Sequence, residues 1–172
     1  MLAITDDHGA CVFAMFDSFD SGRLLDHDLV LGLVETSPGN ATITYVPAYT
    51  FIVRLVDRSV DLGRIVLRVG NTDHVLLCAG HLGYTGHPEH CGHRYAARAC
   101  RLLVPLARRH GLRALWVTCN PENTASRRTC ELAGGKLVEV MSLPEDTELY
   151  QRGERRTCRN RIDLMWPPGC GW

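Results

Sequence analysis

This sequence is poor in several features that mark particular classes of protein. It contains no unbroken apolar run near twenty residues, which argues against a helix that spans a membrane. Its formal net charge is zero, whereas an extended surface for duplex DNA usually brings a large positive charge, so we expect neither a membrane nor a nucleic-acid partner. The chain starts with acidic rather than basic residues, and we therefore expect no secretory signal and a cytoplasmic location.

The cysteines lack the spacing of a metal or redox motif. No two of the eight are separated by only two residues, which excludes a zinc ribbon and a CxxC redox pair. Several lie in apolar stretches, as Cys78 and Cys119 do. We interpret them as buried free thiols in a reducing compartment, with disulfides as the alternative.

What the sequence does contain is enough apolar material for one globular domain. Hydrophobic residues make up 45% of its 172 residues and charged residues 22%, so we predict a single domain with its own core. The charges are uneven: residues 1–86 carry five arginines and ten acids, and residues 87–172 carry fourteen basic residues and nine acids. A locally basic half suits a small ligand that carries phosphate.

The first half of the chain reads mainly as strands. Apolar residues at 25, 29, 30, 32 and 33 predict a short helix over 24–34, which Pro38-Gly39-Asn40 would end. Residues rich in β-branched and aromatic side chains predict strands over 42–46, 50–56 and 62–69, and a further strand over 74–85 that is interrupted near Gly80 and Gly83.

In the second half, helices alternate with strands. An apolar stripe predicts a helix over 95–110, although Pro105 lies inside it. Residues 114–119 predict a buried strand, and Asn120-Pro121-Glu122 predicts the start of a helix that ends at Gly134-Gly135. Residues 136–141 and 159–165 predict the last strands, and 166–172 a loose tail. The order of elements predicts an α/β protein, a mixed sheet covered by helices on both faces.

The segment 81–98, HLGYTGHPEHCGHRYAAR, is the most informative about function. A strand, a loop containing Gly92 and the start of a helix follow one another. Unpaired backbone N–H groups and the positive end of the helix dipole meet at such a junction, and both favour a pyrophosphate. Many junctions of this kind bind nothing, so the pattern alone leaves both interpretations open.

Residues 49–165 resemble the GNAT superfamily of acetyl-CoA-dependent N-acetyltransferases. Three features carry the resemblance: the strand, loop and helix over 81–107, the strand 114–119 followed at once by residues 120–123 and a helix, and the closing pair of strands. The resemblance implies a largely antiparallel central mixed sheet with a splayed strand pair. It also implies acetyl-CoA as co-substrate and transfer of acetyl to a primary amine of a small molecule or peptide; a homodimer stays open.

The resemblance also implies which residues hold the cofactor. The family's pyrophosphate loop, Gln/Arg-x-x-Gly-x-Gly/Ala, maps onto Cys91, Arg94 and Ala96, of which only Ala96 fits. Arg94 either blocks the loop, because it lacks the conformational freedom of glycine, or binds the pyrophosphate itself. We favour the block, because two positions of the pattern are lost together. Asn123 matches a position near the CoA arm, or caps its helix. The full predicted set is Tyr84, Thr85, Gly86 and His87, whose backbone N–H groups would bind pantetheine and the thioester carbonyl, with Cys91, Gly92, His93, Arg94, Tyr95, Ala96 and Asn123.

Three side chains are candidates for proton transfer. His81, on the strand that borders the cleft, is the candidate general base, because histidine titrates near neutral pH; a structural histidine is the alternative. Cys130 stands where family members often have a tyrosine acid, and an inert buried thiol is its alternative. Tyr150, between the last two strands, is a second candidate acid. Tyr84, which alternation puts on the other strand face, is interpreted as core or cavity wall.

Two further clusters complete the candidates. His87, His90, Cys91 and His93 lie within seven residues, but their spacing matches no known structural zinc pattern, and we predict no metal. Five arginines at 152, 155, 156, 159 and 161 suit the 3′-phosphate of CoA, an acidic substrate, RNA or a solvated surface. The alternative functions are a non-catalytic acyl-CoA-binding module and, behind it, a metal-binding protein.

Overall fold

The computed structural model describes residues 4–5, 11–12, 20–40 and 45–164. Its strands are β1 Ile4–Thr5, β2 Cys11–Val12, β3 Leu24–Asp26, β4 Leu29–Ser37, β5 Ala48–Leu55, β6 Arg58–Arg68, β7 Leu82–Gly86, β8 Ala114–Cys119, β9 Lys136–Ser142 and β10 Arg156–Asp163. Its α-helices are α1 Tyr95–Leu102, α2 Val104–Arg109, α3 Thr124–Leu132 and α4 Glu148–Gln151, with a π-helical turn Val75–Ala79 and a 3-10 turn Pro88–His90.

The strands form two main antiparallel sheets. One sheet has five strands in the order β3-β4-β5-β6-β7, and the other has three in the order β8-β10-β9. A separate ladder joins β1 to β2. The predicted α/β fold is therefore confirmed, but the central sheet is divided where the chain passes from β7 to β8.

The division between β7 and β8 is a splayed strand pair. The His81 backbone N–H donates to the Trp116 carbonyl at 2.6 Å, just before β7 begins. Beyond this bond, no backbone hydrogen bond joins β7 to β8 within the described ranges. Since paired strands normally continue bonding along their length, the gap that follows leaves the outer edge of β7 open.

The helix predicted over 24–34 is wrong, because β3 and β4 form a hairpin there. His27, with φ of 52°, lies in the turn, and Leu29 and Leu31 are buried while Leu33 is 47% exposed. Arg98 of α1 holds the hairpin through Asp26 and Asp28, with each ion pair at 2.7 Å. Leu25, Val30 and Val34 lie between the inward-facing positions of these strands, and their apolar side chains obscure the alternation that marks a strand.

Two other predicted elements are corrected. The strand predicted over 74–85 is a π-helical turn followed, after Gly80, by the shorter β7. The helix predicted over 95–110 is divided at Leu103 into α1 and α2, so that Pro105 falls in the first turn of α2, where no hydrogen bond from its nitrogen is needed.

The remaining elements follow the sequence closely, except that β6 begins at Arg58, four residues before the predicted strand 62–69. β8 has the predicted bounds, and β9 and β10 differ by one to three residues. The predicted helix entry at residues 120–122 is instead a turn, in which Asn120 Oδ1 accepts from the Glu122 N–H, and α3 begins at Thr124. Tyr45 pairs with Asn40 in an isolated bridge, whereas most of the predicted strand 42–46 and the predicted tail lie outside the described residues.

One apolar cluster joins the two sheets and the helices. It includes Phe51 and Ile65 of the five-stranded sheet, Leu103 and Leu106 of the helical region, and Leu115 of β8. Cys78, Cys100, Cys130 and Cys158 are buried and free, as predicted, whereas Cys91 is exposed. No helix within the described residues is long and apolar enough to cross a membrane.

Candidate active site

Two cavities meet at the gap between β7 and β8. The larger has a volume of about 670 Å³ and the smaller about 420 Å³. Both are lined by Tyr84 of β7 and by Asn123 and Ser126 at the start of α3. We call the smaller one the loop-side cavity, since the loop before α1 lines it, and the larger one the far-side cavity.

The loop-side cavity is built from the strand–loop–helix junction. It is lined by Thr85 and Gly86 of β7, by Cys91, Gly92 and Arg94 of the loop, and by Tyr95 and Ala96 of α1. No side chain caps α1, and its first backbone bond runs from the Arg98 N–H to the Arg94 carbonyl. The preceding N–H groups are therefore available to an anion, with the positive end of the helix dipole behind them.

Arg94 adopts the backbone conformation that the family pattern assigns to glycine. Its φ is 62° and its ψ is 16°, which lie in the left-handed region that residues other than glycine rarely occupy. The loop is therefore not prevented from turning by the arginine. The side chain remains exposed at the cavity, where its guanidinium is free to meet an anion.

The outer edge of β7 supplies further donors. The His87 N–H donates to the Leu62 carbonyl at 3.0 Å, on the β6 side. Because successive N–H groups of a strand point to opposite sides, those of Gly86 and Tyr84 face the open edge. Of the four predicted backbone donors, Tyr84 and Gly86 therefore present an N–H to the gap. The N–H groups of Thr85 and His87 point towards β6.

Tyr84 crosses the gap and separates the two cavities. Its hydroxyl lies 2.8 Å from Ser126 Oγ, 3.2 Å from the Ser126 carbonyl and 3.6 Å from Cys130 Sγ. Burial raises the pKa of Tyr84, so the phenol keeps its proton at neutral pH. Cys130, the predicted acid, is itself buried and lines neither cavity; it contacts the cavity residues Tyr84 and Cys119.

Asn123 takes the cap position of α3. Its Oδ1 accepts from the Ser126 N–H at 2.9 Å, which is the local interaction that the sequence left open as an alternative. The same residue lines both cavities, so the capping bond orients a side chain at the junction.

The far-side cavity contains charges of both signs in its wall. Arg68, at the end of β6, and Glu154, in the loop before β10, are both half-buried there. Asn120 Nδ2 donates to Glu154 at 3.4 Å, and no basic side chain of the described residues lies within ion-pairing distance of that carboxylate. Cys119 lines the same cavity, and hydrogen bonding from the Cys130 thiol lowers the pKa of Cys119. No local sequence pattern points to Arg68 or Glu154, because the two residues lie far apart in the chain and belong to no common motif.

His81 lies behind the cavities rather than in them. It is fully buried, and its Nδ1 accepts from the Trp116 backbone N–H at 3.0 Å. Burial lowers the pKa of His81 to about 4. The ring therefore ties the start of β7 to β8 as a neutral group, and it lines neither cavity.

The other predicted residues are separated from the junction. Tyr150 lines neither cavity; its hydroxyl donates to Glu145 at 3.2 Å and Arg155 stacks on its ring. His87 Nε2 lies 3.6 Å from Asp61 Oδ1, and the His93 ring stacks on Tyr95. Neither histidine lines the loop-side cavity. In the part of the chain that the structure describes, no group of three metal-ligating side chains is assembled.

Comparison with known proteins identifies the same fold. The Chromobacterium violaceum structure of a probable GNAT acetyltransferase has a TM-score of 0.61 at 14% identity, covering 88% of this chain and 91% of that one. A Bacillus anthracis GNAT acetyltransferase has a TM-score of 0.53 at 20% identity, covering 67% and 66% respectively, so the chain spans about two thirds of that structure. A putative acetyltransferase from Salmonella typhimurium, solved with its cofactor acetyl-CoA, has a TM-score of 0.52 at 14% identity, covering 72% and 69%.

These identities show a shared fold and no more. A comparison with curated proteins gives no significant match. The family model described as "Acetyltransferase (GNAT) domain" matches residues 33–136, which is more than half of the chain. The match includes the loop, α1, β8 and α3, from which both cavities are largely built. The chain therefore belongs to the GNAT acetyltransferase family, as the resemblance of its sequence predicted.

Proposed function

We propose that this protein transfers the acetyl group of acetyl-CoA to a primary amine of a small molecule or peptide. The observation that carries the proposal is the meeting of two cavities at Tyr84, in the gap between β7 and β8. One cavity has the donors that a CoA pyrophosphate requires, and the other has the polar groups of an acceptor site. An amine in the far-side cavity would thus meet a thioester that enters from the loop side.

The chain's own groups fit acetyl-CoA as co-substrate. The uncapped N–H groups of α1 and the Arg94 guanidinium would hold the pyrophosphate. The edge N–H groups of Gly86 and Tyr84 would bind pantetheine and the acetyl carbonyl, and a donor aimed at that oxygen stabilises the charge that develops there. Acetyl-CoA supplies an acyl group that is already activated as a thioester.

The proton transfers can be assigned to cavity residues. An amine must lose a proton to attack, and we propose Glu154 as the acceptor of that proton, because this half-buried carboxylate has no cationic partner among the described residues. Tyr84 would donate to the leaving sulfur from its position between the cavities. His81 would act as a structural residue, since its Nδ1 is already occupied.

Acetylation of a panel of amines tests the function. Amino acids, polyamines, aminoglycosides and peptide N-termini are each incubated with protein and acetyl-CoA, and the acetylated amine is measured by mass spectrometry, because exposed Cys91 would react with a thiol reagent. We expect Tyr84→Phe and Glu154→Gln each to lower kcat by about 10²-fold, and Tyr150→Phe to lower it much less. Binding of acetyl-CoA with no acetylated product from any amine would instead support a non-catalytic acyl-CoA-binding module.

A further inference from the structure

Arg68 is a half-buried positive charge in the wall of the far-side cavity. It is the last residue of β6, and its Nη1 donates to the carbonyls of Ala79 and Gly80 at 3.3 and 3.4 Å. Among the described residues, no carboxylate lies within ion-pairing distance of the guanidinium. Burial lowers the pKa of Arg68, which is the signature of a cation whose charge is poorly solvated.

The acids of the same cavity do not neutralise Arg68. Glu148 is paired with Arg152 at 2.5 Å, and Glu154 accepts from Asn120. The two bonds that Arg68 makes to carbonyls are long and use only Nη1, so the donors on Nε and Nη2 have no partner within the described ranges. A guanidinium with unused donors in a cavity is suited to two parallel bonds with a carboxylate or phosphate.

Gly83 gives the guanidinium its position. A Cβ built at Gly83 would lie 3.1 Å from Nη1 of Arg68, so a larger residue would crowd the charged group. Gly83 immediately precedes Tyr84 in β7, and the guanidinium therefore lies beside the strand that separates the two cavities. An anion held by Arg68 would be close to the junction where the amine must react.

We propose that the acceptor carries an anionic group, a carboxylate or a phosphate, that Arg68 binds in the far-side cavity. The proposal rests on the function proposed above and names the class of its acceptor. Removing a charge from water is costly unless an opposite charge or hydrogen bonds compensate it, and an anionic acceptor supplies both. Arg68 thereby selects amino-acid-like or phosphate-bearing amines over polyamines, which offer only positive charge.

Matched pairs of amines test this selection. Each amino acid is compared with its amide for the carboxylate arm, and O-phosphoethanolamine with ethanolamine for the phosphate arm. We expect the wild-type kcat/KM for the anionic member of at least one arm to exceed that for its neutral partner by about 10-fold or more. Arg68→Gln should abolish that preference by lowering kcat/KM for the anionic member alone by about 10- to 100-fold.

Controls separate recognition from folding. Arg54→Gln removes an exposed arginine that lines neither cavity and should leave the preference unchanged. Arg68→Lys keeps the charge but loses the bidentate hydrogen bonding of a guanidinium, so it should retain a reduced preference for the anionic member. It replaces Arg68→Gln in the comparison if Arg68→Gln does not fold. A preference that persists in Arg68→Gln, or equal rates for both members of both pairs in wild type, would overturn the proposal.

A binding measurement distinguishes this proposal from the proposed function. N-acetyl amino acids and the amides of the same N-acetyl amino acids are each titrated into the protein, and the melting temperature is measured. The pairs compared are those whose N-acetyl amino acid raises the melting temperature most. We expect the carboxylates to stabilise wild type and not Arg68→Gln, whether or not acetylation is detected. Failure of acetylation with this pattern intact would refute the transferase proposal alone. Equal shifts for carboxylates and amides, and also for N-acetyl-O-phosphoethanolamine and N-acetylethanolamine, would refute anion recognition alone.

Discussion

At the scale of single residues, Arg94 combines a strained backbone with a charge at the cofactor cavity. Its left-handed conformation costs a residue with a side chain about 1 kcal/mol relative to glycine, whereas its guanidinium can compensate phosphate charge. The sequence favoured the interpretation that this arginine blocks the loop over the alternative that it binds the pyrophosphate. The observed φ of 62° favours binding of the pyrophosphate by Arg94, because the loop already makes the left-handed turn that a glycine would allow.

Two variants separate strain from charge at Arg94. Arg94→Gly should raise the melting temperature slightly and weaken acetyl-CoA binding about 10-fold, with a smaller salt dependence. Arg94→Ala, which loses the charge and keeps the strain, should weaken binding equally without the gain in stability. Calorimetric titration of acetyl-CoA at two salt concentrations measures the affinity of both variants, and thermal unfolding measures their stability. Tighter binding by Arg94→Gly would show that the arginine blocks the loop.

His81 is predicted to make the folded protein sensitive to acid. Its pKa of about 4 in the folded state lies below the ordinary value of 6.5, so the unfolded chain binds the proton first. Stability from this group is complete above about pH 6.5 and is lost as the pH falls towards 4, by about 3 kcal/mol in total.

Denaturant unfolding between pH 7 and pH 4 measures this loss. His81→Gln retains an acceptor for the Trp116 N–H and should flatten the decline, whereas His27→Gln, which removes a histidine with a 91% exposed side chain, should follow wild type. The kcat of His81→Gln at pH 7 should stay within a few-fold of wild type. A loss of about 10²-fold with unchanged acetyl-CoA affinity would restore the catalytic role predicted from the sequence.

At the scale of elements, the end of β7 depends on a glycine in β6. Gly63 has φ of 142°, and a Cβ there would lie 2.1 Å from the Thr85 carbonyl oxygen and 2.8 Å from Gly86 Cα. Those atoms belong to the backbone and cannot move without moving the strand edge. The close approach of β6 therefore sets the position of the β7 donors that face the gap.

Gly63→Ala should consequently damage stability and cofactor binding together. We expect a loss of about 2 kcal/mol or more in unfolding free energy and at least ~10-fold weaker acetyl-CoA binding in the folded fraction. Gly111→Ala is the matched control, since Gly111 has φ of 74° and nothing within 4 Å of its Cβ position; it should cost about 1 kcal/mol and leave binding intact. Equal effects of the two variants would show that strain alone, and not the contact with β7, explains Gly63.

At the scale of the whole molecule, a cofactor in the loop-side cavity would join parts that the backbone leaves apart. β7 and α1 belong with the five-stranded sheet, whereas α3 follows β8 of the three-stranded sheet, and Tyr84 to Ser126 is a side-chain link across the gap. Acetyl-CoA should therefore raise the melting temperature, by the equivalent of about 2.7 kcal/mol at a concentration 100 times its Kd. Hydrogen exchange should slow at the Tyr84 and Gly86 amides and at the start of α1.

The β9 amides provide the internal reference for that measurement, since β9 lines neither cavity. Slower exchange limited to the β7 edge and α1 identifies the loop-side cavity as the binding site. No change in melting temperature at millimolar acetyl-CoA would remove the acetyl-CoA proposal altogether.

What the sequence determined by itself is local. The strand 114–119, the junction over 81–98 and the start of α1 at Tyr95 could be predicted, because turn residues and side-chain periodicity act within a few positions. The family followed from the order of these elements. The β3–β4 hairpin could not be predicted, because its apolar residues also match a helical period and only pairing with β5 decides between the two.

What only the tertiary structure decided concerns residues far apart in the chain. His81 is buried and accepts a hydrogen bond from Trp116, 35 residues away, and no property of residues 74–85 could reveal this bond. Arg68, Tyr84, Asn123 and Glu154 line one cavity because β7 and β8 diverge after a single hydrogen bond. The physical reason is that periodicity assigns a side chain to a face of its own element, whereas the opening between elements depends on how separate sheets pack.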